Sequence, residues 1–364
     1  MSINSLYHTW FRRVEQLWPD LRVTQKRNMT WLLVGIYLSK SVHLSDIAVK
    51  MPGHAKLVSQ TRRLSRFLRS PALCVRKRYR AIVLYLLEMA AKTGEIRLVL
   101  DTTKVGFHQR LLMVALAFRR RALPIAWTWV RHVKGHSRTN VQLALLAHVR
   151  RWVPDGATVS VVGDCEFGAV DLIRQLDLWK WDYVLRQESN NMIVQILGQD
   201  WQRFGDIVDR PGRSVWLGRC CFTKQHVYPV NLLAHWKRGY DEPWLLATSY
   251  SCRRDALRAY PRRMWIEEMF GDMKGHGFDL ESTHLRHLLR LSRLTFVVAL
   301  LYVWLLFSGV RAIKNGKRHL VDRKDRRDLC VFQIGWRIVE RRLVNYLPIS
   351  IRLSLTAHPK LSGS

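Results

Sequence analysis

Apolar positions change their spacing along the chain. Up to about residue 92 they recur at helical intervals among many basic residues. Ser45–Met51 (SDIAVKM) reads as a short helix opened by a Ser45 cap and stopped by Pro52-Gly53. In Ser59–Ser70 (SQTRRLSRFLRS), Leu64, Phe67 and Leu68 fall at i, i+3 and i+4, with Arg62, Arg63, Arg66 and Arg69 around them. That spacing predicts an amphipathic helix with a basic face. From residue 96 short aliphatic runs take over. Ile96–Leu100 predicts a strand ending at Asp101, and Leu111–Phe118 and Ile125–Val130 predict two more, with Arg119, Arg120 and Arg121 at the turn between them. Thr139–Trp152 returns to helical spacing. Thr158–Gly163 predicts a strand ending at Asp164, Phe167–Leu178 a helix and Tyr183–Arg186 a further strand.

Residues 188–242 are less regular and rich in polar residues, Gly and Trp, with β-like pieces at Ser214–Leu217 and His226–Val230. They read as a β-rich insertion, and Pro243–Ser249 as a strand returning to the sheet. A helix over Arg254–Lys274 is expected to stop at Gly275 and Gly277. An apolar helix at 291–308 follows, then a basic tail with a last amphipathic helix near 332–346. The order βββαβαβ resembles an α/β, ribonuclease-H-like mixed sheet core with helices on both faces. The implied division is a helical region at 1–92, a core at 93–310 carrying the insertion at 188–250, and a basic helical C-terminal region at 311–364. The run Phe296–Phe307 has 12 apolar residues. A bilayer span needs about 20, so a buried core helix is expected there and no membrane partner.

Composition narrows the partner. The chain carries 60 Lys+Arg against 28 Asp+Glu, a formal net charge of +32, yet 48% of its residues are hydrophobic. An unfolded basic tail would lack that apolar content. A folded chain with this surplus repels itself, and a polyanion relieves the repulsion. Nucleic acid is the first candidate, which makes the helical region at 1–92 the expected DNA-binding region, with Arg62, Arg63 and Arg66 as candidate contacts. The six Cys form no CxxC pair, so reduced thiols in a cytoplasmic protein are expected. The N-terminal residues show no apolar targeting segment.

Two features carry chemistry. Asp101 and Asp164 each follow an apolar strand, and ligands of open α/β sheets bind at such strand ends. Paired carboxylates there, with a third from a nearby helix, form the oxygen-only donor set that Mg²⁺ or Mn²⁺ prefers. The third element is the stretch YPRRMWIEEMFGDMK, in which Tyr260, Arg263, Glu267 and Lys274 are separated by three, four and seven residues. On a continuous helix at ~100° per residue all four lie within an arc of about 60°. Glu268 points about 100° away and is not expected to join them. Glu166 reads as a helix-start residue. His132 and His136 lack a supporting Cys/His cluster, so no zinc site is expected there. Arg119–Arg121 and Lys134–Arg138 are candidate phosphate contacts. No G-x-S-x-G and no Walker motif is present.

The spacing Y-x2-R-x3-E-x6-K resembles that of DDE transposases of the insertion-sequence-four group, encoded by bacterial cut-and-paste insertion sequences. Asp101 stands in a D-x-T context (Asp101-Thr102-Thr103) and Asp164 in G-D-x-x-F (Gly163 to Phe167). The resemblance covers about residues 40 to 310. It implies that Asp101, Asp164 and Glu267 are the catalytic metal ligands, holding two Mg²⁺ or Mn²⁺ ions. Arg263 and Lys274 would neutralise phosphates, and Tyr260 would contact the 5′ phosphate of the non-transferred strand. Double-stranded DNA is the implied partner, both the inverted-repeat ends and the target, with a homodimer on DNA in the bacterial cytoplasm, associated with the nucleoid. Trp201, Trp216 and Trp236 are all candidates to stack a flipped base. The rivals are a non-catalytic, end-binding repressor derived from a transposase and a metal nuclease of the same fold.

Overall fold

The structure, a computed structural model, describes residues 2–106, 109–131, 137–196 and 198–355. Its elements are α1 (Ser2–Leu17), α2 (Val23–Ser39), α3 (Leu44–Val49), α4 (Leu57–Phe67), α5 (Val75–Ala91), β1 (Ile96–Val105), β2 (Gln109–Phe118) and β3 (Arg121–Arg131). Then come α6 (Thr139–Arg150), β4 (Val159–Gly163), α7 (Val170–Leu178), β5 (Asp182–Arg186), β6 (Met192–Val194), β7 (Gln202–Arg203), β8 (Ser214–Phe222) and β9 (Tyr228–His235). The last are β10 (Trp244–Thr248), α8 (Arg253–Ala259), α9 (Met264–Met273), α10 (Leu288–Lys314) and α11 (Val331–Val344). Contacts divide the chain into two units, Met1–Tyr85 with Lys104–Gln109 and Met269–Ser364, and Leu86–Thr103 with Arg110–Glu268.

The first unit is helical and centred on α10. That helix is apolar on all sides, with a mean hydropathy of 2.1 over its most apolar 18 residues, so length and composition alone would let it cross a membrane. Of that stretch 83% is buried inside the protein, which makes it a core helix. Helix α11 crosses α10 where two glycines meet. A Cβ on Gly309 would collide with the Val331 carbonyl oxygen, and one on Gly335 with the Leu305 carbonyl oxygen. Only bare backbone allows this approach. Residues 311–355, the basic tail, therefore fold within this unit.

Helix α4 forms as its spacing predicts. Leu64, Phe67 and Leu68 are buried while Arg62, Arg63, Arg66 and Arg69 are exposed. The expected Ser45 cap of α3 is not found. Residue 43 holds the capping position and Ser45 lies in the first turn. Ser41 Oγ serves the turn instead, accepting the His43 N–H at 3.0 Å and donating to Asp46 at 2.9 Å.

Asp20 offers a test of this unit. Its carboxylate bonds the buried Arg78 guanidinium and lies 3.0 Å from Lys77 Nζ. The Arg78 hydrogen bond, aided by Lys77, holds the Asp20 carboxyl down at about 2. A carboxyl depressed in the folded state stabilises above its unfolded value of about 4, and that stabilisation is lost as pH falls towards 2. Between pH 4 and 2, Asp20→Asn is expected to flatten the acid slope of the melting temperature relative to the parent chain. Parallel slopes would show that the pair contributes nothing, as exposed pairs often do.

The second unit is built on a mixed sheet of ten strands in the order β3-β2-β1-β4-β5-β10-β9-β8-β6-β7. Strand β4 is buried along its whole length, Ser160 included, as expected of a largely apolar run inside a parallel ladder. It runs parallel to β1 on one side and to β5 on the other, and its last rung with β1 sets Gly163 opposite Leu100. Strand β10 returns antiparallel to β5, and β9, β8, β6 and β7 follow antiparallel to their neighbours. The irregular stretch after residue 188 thus extends the same sheet. Each strand expected between residues 96 and 186 forms, with ends moved by a few residues.

Candidate active site

The main difference in β1 is its length. Its apolar run stops at Asp101, where the strand is expected to end, but the strand continues to Val105. What ends near Asp101 is the parallel ladder, at Leu100 and Gly163. Asp164 is the first residue beyond β4, in extended backbone, and opens a 3₁₀ turn at Cys165–Phe167. The two carboxylates therefore stand at one level, Asp101 within β1 and Asp164 just beyond β4, where the parallel ladder ends.

Both are partly buried. Burial pushes the Asp101 carboxyl up to about 7. The Thr102 backbone N–H, which donates to Asp101 Oδ1 at 2.7 Å, and the Arg263 guanidinium oppose that rise, while Glu267 and Asp164 add to it. Asp164 Oδ1 is buried without a hydrogen-bond partner. An orphaned carboxylate oxygen beside a carboxyl that resists ionisation is a place that favours a cation. The donors are all oxygen, which suits Mg²⁺ or Mn²⁺.

The third carboxylate is engaged differently. Among the described residues no three His, Cys, Asp or Glu side chains stand close enough together to hold one metal ion. Arg263 Nη1 lies 2.5 Å from Glu267 Oε1 and 3.7 Å from Asp164 Oδ2. Its guanidinium thus bridges the two acids. Burial alone would lower its pKa, but Tyr260 and the surrounding carboxylates outweigh that and raise it, so it stays charged.

The single helical stripe expected over residues 254–274 is corrected. Helix α8 ends at Ala259, Tyr260–Arg263 is a 3₁₀ turn and α9 starts at Met264. Pro261 is the cause, because it cannot donate to the carbonyl four residues back and its ring crowds that carbonyl. Tyr260 and Arg263 still share a side, since i and i+3 eclipse in a 3₁₀ turn, and Arg263 reaches Glu267 at i+4. Tyr260 is 3% exposed, and its hydroxyl is buried without a partner. Its ring meets Trp244 edge-on at 5.0 Å, and burial raises its pKa. Lys274 follows the end of α9 and belongs to the first unit. There its Nζ donates to the Lys104 carbonyl at 2.8 Å and pairs with Glu281 at 2.9 Å. Glu268 turns away and pairs with Arg121 at 2.9 Å.

Glu166 is the residue that sequence reasoning undervalues. It lies in the turn after Asp164, yet its Oε1 accepts from Thr102 Oγ1 at 2.9 Å, Ser137 N at 2.8 Å and Ser137 Oγ at 2.5 Å. The G-D-x-E-F order puts an acid next to the site, but its partners are 29 and 64 residues away in sequence. His132, Lys134 and His136 lie outside the described residues.

The basic helix α4 belongs to the first unit. Ser59, Arg62, Ser65, Arg66 and Arg69 line an open cavity of about 390 Å³. Arg63 turns aside and donates to Asn28 Oδ1 at 2.6 Å.

Comparison with known proteins gives three findings. No curated protein matches the chain. A cryo-EM structure of the piggyBac transposase synaptic complex with hairpin DNA is similar at 13% identity and a TM-score of 0.40, covering 95% of this chain and 83% of that one. Residues 128–304 match the family model described as the transposase DDE domain. The matched stretch includes Asp164, Tyr260, Arg263, Glu267 and Lys274 and begins after Asp101. That match supports a DDE transposase.

Proposed function

We propose that this chain is a cut-and-paste DNA transposase of the insertion-sequence-four group, with a ribonuclease-H-like core. It would cleave DNA at the inverted-repeat ends of its element and transfer the freed strands into target DNA, acting as a homodimer on DNA. One observation carries the reading. Asp101 and Asp164 stand at one level where the β1–β4 parallel ladder ends, and the Tyr260–Glu267 segment closes on Asp164 through Arg263. The β3-β2-β1-β4-β5 half of the sheet, with β1, β4 and β5 parallel, supports the core assignment.

In this reading Asp101, Asp164 and Glu267 hold two Mg²⁺ or Mn²⁺ ions. Bound there, the ions would activate the attacking water or 3′ hydroxyl and stabilise the departing oxygen. Arg263 would exchange its bridge between Asp164 and Glu267 for a DNA phosphate, which a guanidinium binds in the same forked geometry. Glu267 would then be released towards the two aspartates. Lys274 would neutralise a neighbouring phosphate, and Tyr260 would wall the site beside the strand end.

The test gives purified protein linear duplex DNA carrying the element's inverted repeats, with Mn²⁺ or Mg²⁺. Cleavage at the repeat ends is expected. Tight binding without cleavage in either metal would favour the end-binding repressor.

The arginine cavity on α4 makes a second expectation. Changing Arg62, Arg66 and Arg69 to Gln removes three positive charges from one face. If they touch phosphates, the slope of log binding constant against log salt should shrink by about one for each phosphate no longer neutralised. A slope unchanged in the triple variant would remove this helix from the DNA interface.

A further inference from the structure

We propose that Glu166 is a positioning residue for the metal-binding carboxylates, an inference that rests on the reading above. Glu166 sits two residues after Asp164, so its backbone is part of the turn that presents that carboxylate. Its side chain reaches across to β1. Oε1 accepts the Thr102 hydroxyl at 2.9 Å, and the backbone N–H of the same Thr102 holds Asp101 Oδ1 at 2.7 Å. One threonine thus links the Glu166 carboxylate to the Asp101 carboxylate.

The other two bonds tie in a third segment. Ser137, just before α6, donates to the same oxygen through both its backbone N–H at 2.8 Å and its hydroxyl at 2.5 Å. Gln142 of α6, itself 1% exposed, braces the arrangement from behind. Its Nε2 donates to the Glu166 carbonyl at 3.1 Å and to Ser137 O and Oγ at 3.0 Å each. Three stretches far apart in sequence therefore converge on one carboxylate oxygen. In a partly buried site such a network fixes geometry more firmly than its separate bonds would. Groups that orient metal ligands from behind change metal affinity or activity by about 10–100-fold when removed.

The arrangement separates positioning from ligation. All three bonds are made to Oε1, and the amide oxygen of a glutamine keeps an acceptor at that position without the charge. If Glu166 acts by position, Glu166→Gln should work, and if its charge binds the ion, Glu166→Gln should fail as badly as Glu166→Ala. The test measures Mn²⁺ affinity of the full chain by electron paramagnetic resonance titration, with thermal melting of every variant. Glu166→Ala is expected to weaken Mn²⁺ binding by about 10–100-fold. Glu166→Gln should stay within about threefold of the parent, and Thr102→Val, which removes one donor and keeps the shape, should fall between them. Thr102→Val also carries the test where Glu166→Ala does not fold. Equal losses in the Gln and Ala variants would overturn the proposal, as would Ala and Val variants that bind Mn²⁺ like the parent. A parent chain that binds no Mn²⁺ would overturn the proposed function as well, whereas loss of the Glu166 effect alone leaves that function standing.

Discussion

Asp101→Asn, Asp164→Asn and Glu267→Gln should each lower DNA strand cleavage by about 10³-fold or more while leaving DNA binding close to that of the parent chain. Each change keeps the shape and removes the negative charge. Metal ions stabilise charge at the reacting oxygens by several kcal/mol, and each ~1.4 kcal/mol is a factor of ten in rate. The three changes should not add, because each alone disables the same assembly. Binding should survive, since 32 surplus positive charges draw DNA to the protein and these acids oppose them. The site assignment fails if Asp101→Asn cuts as well as the parent. The same substitution should raise the melting temperature of the metal-free protein at neutral pH. Burial, reinforced by the Glu267 and Asp164 charges, disfavours an ionised Asp101, and the amide removes that cost. A site that lowers stability and is needed for activity separates function from packing.

Gly335→Ala should be among the most destabilising single changes in the chain. Its new methyl would strike the backbone of α10 at Leu305, and Gly309→Ala would strike α11 at Val331. Neither obstacle is a side chain that can rotate away, so the helices must separate along their crossing. A loss of about 3 kcal/mol or more is expected, which for a chain of this size corresponds to roughly 4 °C or more in melting temperature. Gly275→Ala supplies the control, because a Cβ there would meet nothing within 4 Å. It should change stability by about 0.5 kcal/mol or less. Matching losses at positions 275 and 335 would mean that glycine backbone freedom, not the helix crossing, sets the cost.

Much of the core is legible in local pattern. Ile96–Leu100 and Thr158–Gly163 are mainly aliphatic stretches too short for helices, and β1 and β4 form there. The acids after them stand out for the same reason, as carboxylates closing apolar runs. The helix stripe is less legible, because a uniform turn angle does not hold through Pro261, although the proline itself announces the break. Arg263 and Glu267 still meet, since Arg263 directly precedes α9 and Glu267 lies in its first turn. The insertion shows β-like pieces but no sign that they lengthen the same sheet, because strand partners lie at any sequence distance.

The sequence by itself determined what each segment could form and the charge the folded chain must balance. Periodicity, prolines and residue spacing act over a few residues and are written locally. Only the tertiary structure decided which groups converge. Glu166 reads as an ordinary turn residue until Thr102, Ser137 and Gln142 close on it, and Gly309 and Gly335 read as weak helix positions until two backbones meet there. Arg263 reads as a phosphate contact until Asp164 arrives beside it from the end of β4. Hydrogen bonds and van der Waals contacts act over a few ångströms of space, and which residues come that close is set by chain-wide packing.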